Sequence, residues 1–458
     1  MRLIRYDRRF TRRRFLEKLA GGVLTAGLLA PVWETLAGTG NPGPAYPDEL
    51  RSIDEYTRGR ISTGDEITAE NVEHVRALLD PIRFRQIAEM GRRLRVVPTT
   101  DDIMRLSPWE YIEATNRNRG LARFDRKGNV RTRDGKPWIG GNPFPEPKSA
   151  LEVFAGLTLS WGRHDVSLYA TKEYDLDADG EVAYAYESVW VEFSPVARVV
   201  VQPKPYWPGH EDKLRYQSVF FTAPNDAKGT AFLNIWPYDQ TRFPELYGYL
   251  PAFKRVRRYP TNQRFEPLVP GSTIYLSDAW AAGDPFLTWG NYRIVHRGPA
   301  LAALSHGWNA DHDNWEQGTH GGPKGKSFWN ESVELVPEAI VVEAEPVKYP
   351  RAPVSKKQVW FDLRTLLPFA MVSFDRHGTI YRSFDGAYSL YEKGERRVFD
   401  GRHAYWSWTH VHAHNIQTNR ITRIEQVRKV AAGYEMRVND PGVYNQFLTR
   451  SALRRLGT

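Results

Sequence analysis

The feature that most constrains this chain is a series of short runs rich in β-branched and aromatic residues, separated by turn residues. Asp165–Tyr174, Glu181–Phe193, Ala197–Val201, Tyr216–Thr222, Ala231–Trp236, Ser272–Leu276 and Tyr292–His296 come first. Ala339–Ala344, Gln358–Asp362, Phe369–Phe374, Thr379–Phe384 and His403–His412 follow. Strands recurring about every 8–12 residues predict one large antiparallel sheet or barrel, not a parallel α/β sheet. With 458 residues, 41% of them hydrophobic and 13% aromatic, the chain can bury a large core. No internal repeat stands out.

Upstream the pattern is helical. Thr68 precedes an apolar series Val72, Val75 and Leu79. Asp80-Pro81 then supplies a cap and a proline for a helix carrying Phe84, Ile87, Ala88 and Leu94 on its apolar face. Ser107-Pro108-Trp109-Glu110 reads as a capping box, with Gly120 as the stop, and Ser149–Glu152 opens a further helix towards Trp161. The predicted organisation is a signal over residues 1–37, a Gly/Pro-rich linker over 38–64, a helical region over 65–162 and a curved antiparallel sheet over 163–458. Helices and sheet form one fold of the α+β, mainly β class.

The front of the chain reads as an address. Thr11-Arg12-Arg13-Arg14-Phe15-Leu16 precedes a short apolar run ending near Ala30, and Ala37 closes a small-residue cleavage site. The arrangement resembles a twin-arginine signal, carried by Arg12, Arg13, Phe15 and Leu16, which implies export of folded protein to a bacterial periplasm. Residues 1–37 hold eight basic and three acidic side chains, so +5 of the chain's +9 lies there and +4 remains for residues 38–458. So small a balance on a long chain argues against a nucleic-acid partner. The absence of cysteine excludes disulfides, thiolate metal sites and a cysteine nucleophile.

Candidate chemistry is sparse. Asp175-x-Asp177-x-Asp179-Gly180 imitates a calcium loop, but Tyr186 stands where a bidentate Glu is needed, so a hairpin turn is expected. His320–Ser327 imitates a phosphate loop without its first glycine. His410, His412 and His414 alternate on a strand and therefore share a face, beside Trp406 and Trp408. Two imidazoles so placed can ligate a metal, and His306, His312, His320, Asp311 and Asp313 lie in a polar stretch that could add ligands. The structural alternative is a polar strand face with hydrogen-bonded histidines. No cofactor is expected unless this group takes a divalent metal. Neither a G-x-S-x-G elbow nor an H-E-x-x-H motif is present.

Lys254-Arg255-Val256-Arg257-Arg258 offers no apolar face, so it predicts a charged sheet edge. Its sharper reading is a contact for anionic lipid head groups or an acidic partner. This stretch, with Tyr249-Leu250-Pro251 before it, resembles a strand of periplasmic proteins related to LolA and LolB, and more closely of domain-of-unknown-function family 1329. Tyr111–Asn118, Gly140–Pro145, Asp278–Trp289, Val359–Asp362 and Phe374–Gly378 match the family in order.

The resemblance implies a strongly curved antiparallel sheet, a LolA/LolB-like open barrel, with N-terminal helices on its concave face. In LolA and LolB that hollow holds acyl chains. It also implies a soluble monomeric carrier or chaperone for a hydrophobic or lipid-like molecule, working with an RND-type inner-membrane transporter and an outer-membrane protein. No catalytic residues come with it. A metal enzyme using the His-rich strand and a ligand-free docking subunit are the alternatives. A carrier requires that its own side chains leave the hollow partly unfilled, because each acyl methylene gains about 0.8 kcal/mol on burial.

Overall fold

A computed structural model describes residues 46, 48–102, 105–260, 264–267, 269–304, 312–391 and 405–457. The signal region with Arg12, Arg13, Phe15, Leu16 and Ala37 lies outside them, as do His306 and Asp311.

The first half contributes β1 (Glu66–Ile67), β2 (Leu94–Val96), β3 (Arg123–Phe124) and β4 (Val130–Arg131). Its helices are α1 (Ile53–Thr57), α2 (Pro81–Met90), α3 (Trp109–Arg117) and α4 (Ala150–Leu159). The long strands begin at β5 (Val166–Leu176), β6 (Val182–Phe193), β7 (Lys213–Ala223), β8 (Ala231–Pro237), β9 (Glu245–Leu250) and β10 (Arg255–Tyr259). They continue through β11 (Gly290–Ala302), the short pair β12 (Thr319–His320) and β13 (Phe328–Trp329), and β14 (Ser332–Glu345). The last are β15 (Lys356–Asp362), β16 (Leu367–Phe374), β17 (Ile380–Tyr391), β18 (Tyr405–Asn415), β19 (Arg420–Val427) and β20 (Arg437–Val438). Short helices α5 (Val443–Phe447) and α6 (Arg450–Leu456) end the chain's described part.

One sheet runs β1-β2-β14-β15-β16-β17-β18-β19-β5-β6-β7-β8-β9-β10, with β11 on β14 and β20 on β5. Its pairings are antiparallel except β14 with β2. The sheet bends around α4. A single apolar cluster joins Val153, Phe154 and Leu157 of α4 to Trp236 of β8, Ile340 of β14, Phe361 of β15 and Val411 of β18. Strands distant in the sheet order meet there only because the sheet curves. At the rim, Lys348 donates to the Thr241 carbonyl at 2.9 Å, tying the segment after β14 to the β8–β9 turn.

Local sequence explains the helix starts. Asp80 accepts from the amides of Ile82 and Arg83, with Pro81 at the first turn and Gly91 in the left-handed stop. Ser149 and Glu152 form a complete capping box at α4. The box expected at Ser107 does not form; Pro108 occupies the cap of α3 and offers no side-chain acceptor. The segment 72–78 is a 3₁₀ helix.

Other differences are physical. Part of the 38–64 stretch is not a linker: Leu50, Ile53, Tyr56 and Ile61 are buried core residues. Ala197–Val201 is not a strand, because the amides of Val199, Val200 and Val201 turn to bind the buried Asp165 carboxylate. Ser272–Leu276 forms no strand either, only an isolated bridge between Tyr275 and Pro267. The calcium-like motif is the β5–β6 turn, where Asp177 accepts from the amides of Asp179 and Glu181.

Helices cover both faces, not the concave one alone. α3 and α4 lie inside the curve, while α2 packs on the opposite face through Arg83 and Gln86. A bulge in β18 separates the two layers. Ala387 pairs with His410, but Tyr388 pairs with Trp408, so Thr409 is the extra residue. It reverses the alternation. Trp406 and Trp408 therefore point into the curve, while His410, His412 and His414 share the opposite face, as their spacing predicts, but without the two tryptophans beside them.

The complete capping box makes Ser149 a clean test of α4. Ser149→Ala should lower unfolding free energy by about 1 kcal/mol in urea titration; no change would mean that the box does not anchor α4.

Candidate functional site

The centre of the concave face is aromatic. Trp161 follows α4, Tyr169 and Trp190 come from β5 and β6, and Tyr388, Trp406 and Trp408 from β17 and β18. Trp280 enters from the loop before β11. Its indole meets Trp408 at 5.1 Å, Trp190 at 5.6 Å and Trp161 at 5.7 Å, each edge-on. These rings, with Arg163 and Glu192, enclose a cavity of about 30 Å³. That is room for one water-sized group. The unfilled hollow expected of a carrier is thus occupied by native side chains, chiefly Trp280.

Trp280 is held in place against its own backbone preference. Its φ is 44° and its ψ 35°, and Ala281 follows at φ 61°. A bulky residue gains nothing from the left-handed region and is found there only when its surroundings fix it. Three buried cations do so. Arg382 pairs with Asp278 at 2.5 Å, Lys357 donates to the Ala281 carbonyl at 2.7 Å, and Arg264 pairs with Asp284 at 2.5 Å. Trp289 adds an indole N–H to Asp284 at 3.0 Å. Gly283 lets the loop close, since a Cβ there would lie 1.8 Å from the Leu276 carbonyl oxygen. Burial lowers the Lys357 ammonium to about 8, opposed by Asp284 and Asp278.

Polar groups line the same cavity. Glu192 accepts from the indole N–H of Trp190 at 2.9 Å and from Gln217 at 2.9 Å. Burial raises its carboxyl, opposed by Arg215. Arg163 is buried, donates to Ser160 and to the Thr365 carbonyl at 2.8 and 2.9 Å, and also contacts the Tyr111 hydroxyl. The indole nitrogens of Trp280 and Trp406 and Nε of Arg163 have no hydrogen-bond partner.

The three strand histidines sit on the other face in a charged network. Arg92 donates to Asp385 at 2.8 and 2.9 Å and pairs with Glu331; Arg83 lies 3.2 Å from Asp385. Burial pushes both carboxyls up, but Arg92 outweighs it and holds Glu331 and Asp385 below the usual carboxylate range. Burial, then Arg92, lowers His412 to about 4; burial lowers His414 to about 4.

Glu331, Asp385 and His412 bring one ligand atom each within 4.8 Å of one another. They do not fit a metal. The Trp329 amide donates to His412 Nε2 at 2.9 Å, so Nδ1 carries the proton and donates to Asp385 at 3.0 Å. No lone pair remains, and the Arg92 guanidinium already neutralises the carboxylates. His414 is engaged by Gln86 and Asn419, and His410 by Thr409 and Glu331. His312 pairs with Glu316 at 3.2 Å and stands outside this group.

β10 is a sheet edge, as its charges suggested. Lys254 takes a left-handed turn and the strand proper starts at Arg255. Arg258 and Arg450 both approach Glu245, at 3.7 and 3.8 Å. Arg257 lies 4.0 Å over the exposed Phe253 ring. Lys254, Arg255, Arg258, Arg450, Arg454 and Arg455 are exposed.

A family model covers residues 66–454 and is described as protein of unknown function (DUF1329). The chain belongs to the DUF1329 family. Three solved structures resemble it at low identity. A DUF1329 family protein from Desulfovibrio piger has 15% identity and a TM-score of 0.44, over 66% of this chain and 95% of that one. An outer membrane lipoprotein-sorting protein domain from Vibrio parahaemolyticus has 16% identity and a TM-score of 0.41, over 63% and 92%. A LolA superfamily protein from Nitrosomonas europaea has 10% identity and a TM-score of 0.36, over 66% and 98%. A search of curated proteins found no match. Among the described residues, no helix is long and apolar enough to cross a membrane.

The lowered imidazole sets a pH dependence. An unfolded histidine binds its proton near 6.5, whereas His412 stays neutral in the fold down to about 4. The unfolded state therefore binds more protons between these values, and stability rises with pH across that window by about 1.4 kcal/mol per pH unit. His412→Asn should remove roughly that slope from denaturation curves taken between pH 4.5 and 6.5; an unchanged slope would contradict the burial of a neutral imidazole.

Proposed function

We propose that this protein is a periplasmic carrier or chaperone for a hydrophobic or lipid-like molecule, exported by the twin-arginine route. The observation that carries the reading is the aromatic cavity at the centre of the concave face, closed by a tryptophan held in a left-handed conformation. A guest enters when the Trp280 loop withdraws, and the rings of β5, β6, β17 and β18, with Trp161 after α4, then receive it. Indole and phenol rings supply broad apolar contact at little rotamer cost. Partners of the RND transporter and outer-membrane type would meet the basic edge formed by β10 and α6, where cations outnumber the single Glu245.

A second reading has its own support. The filled hollow and the basic edge together suit a docking subunit without ligand. A metal-dependent enzyme is not adopted, because His412 offers no free lone pair.

Organic extraction of protein purified from the periplasm, followed by mass spectrometry, separates the two. The carrier reading predicts co-purifying lipid at near one equivalent. A clean extract, together with capture of an envelope partner that is lost on charge reversal at Arg255 and Arg257, would favour the docking subunit instead.

A further inference from the structure

The cavity carries one buried charge without a counter-ion. Arg163 lines it, is 5% exposed, and follows α4 with φ at 61°. Its partners are all neutral: the Tyr111 and Ser160 hydroxyls and the Thr365 carbonyl. Its Nε has none. The Tyr111 ring lies 4.3 Å below the guanidinium. Other ionisable groups near the cavity leave that charge unmatched. Arg215, stacked 4.0 Å over Trp236, interacts favourably with Glu192. His164 is lowered to about 4 by burial and is neutral. Burial also raises Tyr169 and Tyr388. Elsewhere in the interior, Arg92 is matched by Asp385 and Glu331, Arg364 by Asp362 and Glu334, Arg264 by Asp284 and Arg382 by Asp278, while the buried Arg198 and Arg423, which line no part of this cavity, also keep guanidinium nitrogens without a hydrogen-bond partner.

An isolated charge in an apolar site is costly unless something pairs with it. Here the unpaired cation borders the wall of aromatic rings, and the unpaired Trp406 indole nitrogen adds a second donor on the same wall. We infer that the guest is an anionic amphiphile, an acyl chain bearing a carboxylate, whose head pairs with Arg163 while the chain takes the space vacated by Trp280. The planar guanidinium fork suits a carboxylate. The inference rests on the carrier reading and adds its head-group chemistry.

Oleate, methyl oleate and oleyl alcohol, each titrated into the delipidated protein at neutral pH, test it. The three share a chain and differ in head charge. Oleate should bind about tenfold or more tighter than the two neutral ligands. Arg163→Gln should abolish that preference, and Arg163→Lys, which keeps the charge but loses the fork, should retain part of it. Equal affinity of all three for the wild-type protein would overturn the inference and leave the carrier reading standing. Failure of all three to bind would overturn both.

Discussion

The structure turns on a clamp of three buried cations around one loop. Asp278 and Asp284 bracket Ala279-Trp280-Ala281-Ala282-Gly283, and Arg382, Lys357 and Arg264 hold the bracket. These contacts fix a tryptophan where its backbone resists, and the tryptophan fills the middle of a curved sheet. Without the clamp the left-handed residues would relax, and the rings of β5, β6, β17 and β18 would face a gap. Packing, electrostatics and backbone strain thus meet at one position.

The opposite face shows how the same sheet manages buried charge through its own side chains. Arg92 is shared by Asp385 and Glu331, and two imidazoles near it stay neutral. Every lone pair and proton of His412 has a partner from the protein itself. That network joins α2 to β17, β18 and the segment between β13 and β14. It reads as a lock between layers. Arg163, inside the curve, has only neutral hydrogen-bond partners, and its place on the cavity wall singles it out.

Much of the fold was legible in the sequence. Most strand runs, Asp80-Pro81 and Ser149–Glu152 encode local signals that form the elements expected, although the helix begun at Pro81 stops at Met90 with Gly91 as its cap, so Leu94 opens β2 instead of continuing the helical face. The charged edge at Arg255–Arg258 was equally plain, because a strand without an apolar face cannot be central. What failed was anything set by tertiary contact. The bulge at Thr409 has no sequence signature, yet it moves three histidines to the far side of the sheet from Trp408. Val199 to Val201 looked like a strand, but a carboxylate more than thirty residues away takes their amides. Trp280 and Arg163 were invisible as a pair, since only folding brings the loop before β11 against the end of α4. Their left-handed backbones fall at ordinary residues instead of glycines, so composition could not flag them.

Closure by Trp280 is the claim on which the functional reading depends, and a crystal structure of the protein with oleate addresses it directly. The expected result places the acyl chain between α4 and strands β5, β6, β17 and β18, with the Trp280 indole moved out of the cavity. A structure with Trp280 unmoved and no chain beneath it, at saturating oleate, would contradict it.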